Sequence, residues 1–274
     1  MTGAEAPDTL QAMQPIDELE SAEARQLLGI VFDVDDTLTR AGRLEAEAYA
    51  ALWALRRAGL LLMAVTGRPL GFAELMARQW PIDLAVGENG AGYVRVTEHG
   101  LTTGFYADDA QRATHAAQLA RLRDRVREQA PFAHITDDSW ARRCDVTWDI
   151  GERVQLAAAQ IAELRAIIEA EGARCVVSSV HAHAMLGAYD KASGAVQAGR
   201  ALLGHDLAGE RARWLFVGDS GNDAPAFAHF PLSAGVANVR DHLHALPTPP
   251  RYVSRADRGV GFAEIAATVL ARRG

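Results

Sequence analysis

The chain has 274 residues, of which 49% are hydrophobic and 23% charged, and its formal net charge is −7. That size and apolar fraction suit a globular protein of one large or two modest domains, and the negative balance argues against a nucleic-acid partner. No apolar run approaches the ~20 residues of a membrane span, the segment MTGAEAPDTLQAMQ lacks the basic-then-apolar order of a secretory signal, and Cys144 and Cys175 form neither a disulfide framework nor a zinc-ligand pair. A cytoplasmic protein with no membrane or nucleic-acid partner is expected.

Residues 1–20 are rich in Ala, Pro, Gln and acids and lack periodicity, which predicts a flexible or loosely docked arm. Ser21 with Ala24, Leu27 and Leu28 adds a short helix. Ile30, Val31 and Phe32 then form an apolar run, the pattern of a strand buried on both faces of a parallel sheet. It runs into Asp33, Asp35, Asp36 and Thr37. Leu44–Ala58 is expected as a helix closed by Gly59. Leu60–Val65 is a second strand, running into Thr66, Gly67, Arg68 and Pro69. After a helix over Phe72–Trp80, a third strand, Asp83–Val86, runs into Gly87, Glu88, Asn89 and Gly90. This alternation predicts a right-handed parallel α/β sheet of Rossmann-like kind.

The pattern then changes. Asp109–Gln129 is a long helix, Pro131–Asp137 and Arg142–Ile150 read as strands, Gly151–Glu171 is a second helix, and Arg174–Ser179 and His181–Leu186 are two more strands. Helix–strand–strand, repeated, makes an α+β layer rather than more parallel sheet. Residues 88–186 are therefore expected as an inserted domain, with residues 21–87 and 187–274 forming the core. Its crossings near Gly87–Gly92 and Gly187–Asp190 contain glycines that suit hinges. The first pattern resumes with a helix over Lys191–Leu203. The strand Trp214–Val217 runs into GDSGND, Gly218–Asp223. Strands Leu232–Val236 and Tyr252–Ser254 and a closing helix, Phe262–Arg272, follow.

Polar groups thus end four strands: Asp33 and Asp35, Thr66, Glu88 and Asn89, and Asp219 and Asp223. In an open parallel sheet these ends share one edge, where ligands bind. Lys191 opens the helix after the insertion and reaches the same edge. Clustered carboxylates repel unless a cation neutralises them, and an all-oxygen acid site selects a hard cation, Mg2+ foremost. Carboxylates, a hydroxyl and an ammonium around such a cation are the set used in phosphoryl transfer. Asp36 and Thr37 read equally well as members of this acid site and as plain loop or N-cap residues.

Four segments, Asp33-Val-Asp35-Asp-Thr37, Thr66 in AVTGR, Lys191 in YDKASG and GDSGND, resemble in order the four motifs of the haloacid dehalogenase (HAD) superfamily of phosphohydrolases. The likeness runs from about Leu27 to the C-terminus. The helix–strand–strand insertion resembles the type IIB cap of Cof-like members. GDSGNDAPAF resembles the fourth motif of phosphatases acting on sucrose phosphate, trehalose phosphate and mannosyl-phosphoglycerate, although those usually have Met near Ala226. Asp36 stands where many members have Gly.

The resemblance implies roles. Asp33 is the nucleophile and Asp35 the acid–base group. Mg2+ is held by Asp33, the Asp35 carbonyl and Asp219, with Asn222 and Asp223 behind them. Thr66 and Lys191 bind phosphoryl oxygens. The expected substrate is a small phosphorylated metabolite, a phosphosugar or sugar-phosphoglycerate-like monoester, and Arg68, Glu88 and Asn89 are candidates to contact it. A phosphomannomutase-like mutase shares the cap type and the opening motif. A metal-free dehalogenase would have no use for Asp35 with Asp219 and Asp223. A receiver-type signalling domain is shorter and has no cap.

Strand alternation assigns the cap faces. In Arg142–Ile150, Cys144, Val146, Trp148 and Ile150 should pack on the cap helices. Arg143, Asp145, Thr147 and Asp149 should face the core, so that Arg143 rather than Arg142 looks toward Asp33. His181 and His183 fall on the same open face. An arginine with two histidines suits an anionic or hydroxyl-rich ligand.

Overall fold

The computed structural model describes residues 13–274. In chain order the core contributes β1 (Gln14–Pro15), α1 (Ser21–Gln26), β2 (Gly29–Phe32), the small hairpin β3 (Thr39–Arg40) and β4 (Arg43–Leu44), α2 (Ala46–Arg57), β5 (Leu61–Val65), α3 (Leu70–Gln79), β6 (Leu84–Gly87), β7 (Gly92–Thr97) and β8 (Gly100–Phe105). The cap follows with α4 (Asp109–Gln129), β9 (His134–Ile135), β10 (Asp145–Asp149), α5 (Ala158–Ala170), β11 (Arg174–Val177) and β12 (His181–Met185). The chain then returns through α6 (Lys191–Ala198), β13 (Trp214–Gly218), α7 (Ala224–His229), β14 (Leu232–Gly235), β15 (Tyr252–Val253) and α8 (Arg258–Arg273). No helix among the described residues is long and apolar enough to cross a membrane.

β2 is buried at every position, as its unbroken apolar run requires. It is the middle strand of a nine-stranded sheet ordered β1-β15-β14-β13-β2-β5-β6-β7-β8. Its residues alternate between two cores. Ile30 and Phe32 pack with Leu52 and Leu55 of α2 and Phe262 and Ile265 of α8. Val31 packs on the other side with Met63, Phe216 and Ala195 of α6. β2 pairs in parallel with β5 on one side and β13 on the other. The chain leaves β2 in one direction and returns to its other flank, so the strand order reverses between β2 and β13.

The cap is a four-stranded antiparallel sheet, β11-β12-β10-β9. Leu119, Leu122 and Val126 of α4 and Leu164 and Ile168 of α5 cover one face, against Trp148, Ile150, Ala182 and Ala184. The face given to Trp148 and Ile150 by alternation is correct. Cys144 instead joins a small cluster with Ala91, Met185 and Tyr189.

Three sequence expectations change. β7 and β8, absent from the predicted elements, add to β6 as an antiparallel hairpin and extend the core sheet. The stretch Gly92–Phe105 therefore lies with the core sheet, and the chain crosses to the cap after Phe105. Gly87–Gly92 is not a hinge but a tight turn, with Glu88, Asn89 and Gly90 at φ of 50°, 54° and 113°. Of the expected N-terminal arm, residues 1–12 lie outside the described residues. The rest is docked: β1 pairs in parallel with β15, and Ile16 and Leu19 are buried in the core.

Gly90 and Gly100 share a left-handed backbone, at φ +113° and +110°, but differ in surroundings. A Cβ on Gly90 would meet the Asp190 carbonyl and the Gly194 Cα, whereas one on Gly100 would meet nothing within 4 Å. Gly100→Ala should cost only the backbone strain, about 1 kcal/mol. Gly90→Ala should cost more than about 2 kcal/mol, because neither contact is a side chain that can swing away. Thermal melts of the two variants check the difference.

Candidate active site

The ends of β2, β5, β6 and β13 and the start of α6 converge. Asp33 follows β2 directly, and its N–H donates to the Val217 carbonyl at 2.9 Å, so the sheet ladder itself places it beside Asp219. Lys191 begins α6 behind an Asp190 cap whose carboxylate accepts from Ser193 N–H at 2.7 Å. Its Nζ lies 2.7 Å from Asp33 Oδ1 and 2.7 Å from Asp223 Oδ1. Asp223 Oδ2 accepts the N–H groups of Asp219 and Ser220 at 2.9 and 3.0 Å. Asp219 accepts from Thr37 Oγ1 and Asn238 Nδ2, both at 3.0 Å. All four charged residues are buried.

Carboxylate oxygens of Asp33, Asp219 and Asp223 lie within 4.8 Å of one another. Burial, opposed by Lys191 and reinforced by Asp223 and Asp35, pushes Asp33 up to about 7. Burial and the neighbouring carboxylates push Asp219 well above its usual range. Lys191 is shifted upward despite its own burial, because Asp223 and Asp33 face it. One ammonium among three carboxylates leaves excess negative charge on oxygen donors alone, which fits a hard divalent cation. Asp223 accepts from Lys191 and two backbone N–H groups, Asp219 from Thr37 and Asn238, and Asp33 from Lys191, so Asp33 keeps the greatest remaining donor capacity. The Asp35 carboxylate lies outside this cluster.

Thr66, fully buried after β5, donates its N–H to the Val86 carbonyl at 2.9 Å and accepts from Arg68 N at 3.0 Å. Arg68 holds both oxygens of Asp35 at 2.9–3.1 Å and reaches across to Glu152 of the cap at 2.8 Å. Asn222 Nδ2 donates to Asn89 Oδ1 at 3.0 Å. Asp36 sits at φ 55°, a conformation that glycine adopts without strain and Asp tolerates better than most residues. Its carboxylate is held by Arg258 at 2.9 Å.

The open face of the cap does close on this edge. His183 Nδ1 lies 2.9 Å from Thr147 Oγ1 and 3.2 Å from Asp145 Oδ2, and its ring packs over Gly67. His181 Nε2 lies 2.8 Å from Glu152 Oε2. Asp33, Asp35, Gly67, His181, His183 and Asn222 line an enclosed gap of about 10 Å3, room for about one water. Asp149 faces the same way but is occupied in accepting the N–H groups of Gly151, Glu152 and Arg153.

Two expected substrate contacts are corrected. Arg142, not Arg143, points at the core: its Nη1 donates to the Gly67 carbonyl at 3.0 Å and pairs with Asp145 at 3.0 Å, and its side chain is 2% exposed. Arg143 is exposed and lines a small pocket with Arg112 and Tyr189. The cause is Glu88. Its buried carboxylate accepts the N–H groups of Arg143, Cys144 and Asp145 in succession, and that of Leu70. The backbone curls around Glu88, β10 begins only at Asp145, and the alternation does not extend back to Arg142 and Arg143. Glu88 is thus a clamp between core and cap rather than a group open to a substrate. Burial foremost, with Asp145, pushes it up to about 7, while the four N–H donors favour its charged form.

Glu152 and Asn238 were not singled out from the sequence. Asn238 sits in a 3-10 segment over Ala237–Ala245 and lies in none of the four motifs. Glu152 follows the Asp149 turn and becomes meaningful only opposite Arg68.

No protein-family model matches the chain, and no curated protein does. Solved structures share its fold. A protein from Thermoplasma acidophilum aligns at a TM-score of 0.66 and 18% identity, covering 89% of this chain and 98% of that one. The sucrose-phosphatase of Synechocystis, solved with sucrose and phosphate, aligns at 0.63 and 18%, with the same coverages. A phosphatase of the HAD enzyme superfamily from Bacteroides thetaiotaomicron aligns at 0.59 and 16%, covering 88% of this chain and 94% of that one. The chain has the fold of HAD-superfamily hydrolases, a Rossmann-like core bearing a cap.

Two measurements check the cap–core contacts. Arg142→Ala removes the guanidinium that faces buried Asp145 and Asp138 and should cost about 3 kcal/mol in urea unfolding, against no more than about 0.5 kcal/mol for Arg143→Ala. Burial holds His183 down to about 4 from 6.5, against the pull of Asp145. The folded value lies below the unfolded one, so this contribution is complete above pH 6.5 and is lost as pH falls toward 4. The stability gap between wild type and His183→Gln should therefore shift against wild type by on the order of 3 kcal/mol between pH 7 and pH 4. A pH-independent gap would contradict the buried neutral imidazole.

Proposed function

We propose that this protein is a Mg2+-dependent phosphatase that hydrolyses a small phosphorylated metabolite, a phosphosugar or sugar-phosphoglycerate-like monoester, through an aspartyl-phosphate on Asp33. The observation that carries this reading is the Asp33 carboxylate held 2.7 Å from Lys191 Nζ beside Asp219 and Asp223. Fold likeness to a sucrose-phosphatase and to a HAD phosphatase supports it. The inserted α+β unit is read as a type IIB cap, and the two free cysteines suit a cytoplasmic protein.

In this reading Asp33 attacks phosphorus while the bond to the leaving alcohol breaks, and Asp35 gives that oxygen its proton. Asp35 then takes a proton from the water that attacks the phosphoaspartate, which releases phosphate and restores the Asp33 carboxylate. Lys191 and Thr66 hold the phosphoryl oxygens. Asp33, Asp219 and the Asp35 carbonyl would hold the cation, with Asn222 and Asp223 behind them. The bound cation would offset charge on the transferring group. Arg68 must release Asp35 before Asp35 can act on a substrate. That release calls for the cap to shift on its crossings after Phe105 and at 187–190. Asn89, Arg68, His181 and His183 remain the groups placed to meet substrate.

Phosphate release from acetyl phosphate should vanish in EDTA and return with added Mg2+; full activity in chelator would rule out the metal. Asp33→Asn should lose about 10³-fold or more in kcat in protein that is still folded by circular dichroism. Near-normal turnover by that variant would place the nucleophile elsewhere.

A further inference from the structure

A second and larger opening lies on the far side of Asp35. It has a volume of about 430 Å3 and is bounded by Asp35, Arg68, α3 of the core, and the cap around Asp137–Trp140 and Glu152–Arg153. Asp35 borders both this pocket and the enclosed gap at Asp33. Between the two runs a bonded wall of side chains, Asp35–Arg68–Glu152–His181. An acid that protonates a leaving oxygen must touch it. With phosphorus at Asp33, this pocket is the roomy space beside Asp35 that can take the rest of the alcohol.

The lining says what that alcohol is. Phe72, Leu75 and Met76 of α3, with Trp80 directly after it, present an apolar wall. On the cap, Trp140 is 83% exposed, a large aromatic left uncovered beside the pocket. The charged lining is four acids, Asp35, Asp137, Asp138 and Glu152, against two arginines. Arg68 pairs with Asp35 and Glu152, and Arg153 lies 2.6 Å from Asp137. A second anionic group on the substrate would meet an excess of acids over arginines in this lining. Like-charge juxtaposition of that kind rejects a ligand.

We propose that this pocket is the leaving-group site and that it selects phosphomonoesters of uncharged alcohols with an apolar ring face, excluding esters whose alcohol carries a carboxylate or second phosphate. The proposal rests on the phosphatase reading and narrows it to neutral phosphosugars or ring alcohols, against phosphoglycerate-type substrates. The ring face packs on Trp140 and α3, as sugar and aromatic rings both can.

The test is steady-state kinetics with Mg2+ on four esters. Glucose 6-phosphate and benzyl phosphate carry neutral ring alcohols, one sugar and one aromatic. 3-Phosphoglycerate carries a carboxylate. Acetyl phosphate is too small to fill the pocket. The better ring ester should exceed 3-phosphoglycerate in kcat/KM by about tenfold or more, and which ring ester leads identifies the kind of ring. Trp140→Ala should raise KM for the better ring ester about fivefold and leave acetyl phosphate unchanged. Comparable kcat/KM for 3-phosphoglycerate would overturn the proposal, as would a Trp140→Ala effect equal on ring ester and acetyl phosphate. In both cases acetyl phosphate is still hydrolysed and the phosphatase reading stands. No phosphate release from any of the four would overturn both.

Discussion

Three buried carboxylates share one buried ammonium at the centre of this molecule, and most of the core is arranged to make that tolerable. Withdrawing an ion from water costs several kcal/mol even after relaxation, so each must be met by charge or hydrogen bonds. The parallel sheet supplies much of this. Pairing of β2 with β13 puts Asp33 beside Asp219, and the turn after β13 aims two N–H groups at Asp223. Lys191 reaches the cluster only because α6 starts close to the β6 turn. That approach is possible because Gly90 and Gly194 have no side chains between them. One ammonium leaves this cluster with net negative charge on oxygen donors, the load that a divalent cation would offset.

The contact between cap and core is mainly polar. Apolar packing at the crossings is limited to a small cluster around Ala91, Met185 and Tyr189. The polar contacts include Glu88 receiving three cap N–H groups, Arg142 reaching the Gly67 carbonyl, and Arg68 joining Asp35 to Glu152. Such an interface differs from the two apolar cores flanking the main sheet. Its bonds can be exchanged for bonds to water or substrate, whereas a dry core cannot be opened without exposing hydrocarbon. The same arginine that closes the wall between the two cavities also holds Asp35, so cap position and the state of that carboxylate are linked.

Much of this was legible in the chain because it is local. An apolar run ending in acids is a buried strand delivering its last side chains to a sheet edge, and Asp33, Thr66, Lys191 and Asp219 all meet there as expected. Trp148 and Ile150 face the cap helices because period-two alternation holds inside β10. What escaped is what depends on distant partners. GYVRVT and GLTTGF around Gly100 carry a hairpin pattern, but nothing local says that the hairpin extends the core sheet rather than opening the cap. Asn238 and Glu152 are ordinary polar residues until Asp219 and Arg68 stand opposite them. Arg142 and Arg143 exchange roles because a carboxylate from another part of the chain, Glu88, captures three consecutive N–H groups and breaks the strand. Local sequence sets dihedral preference and burial pattern. Which polar group ends beside which is settled only when the tertiary fold closes, because an unpaired buried charge costs more than a local backbone preference is worth.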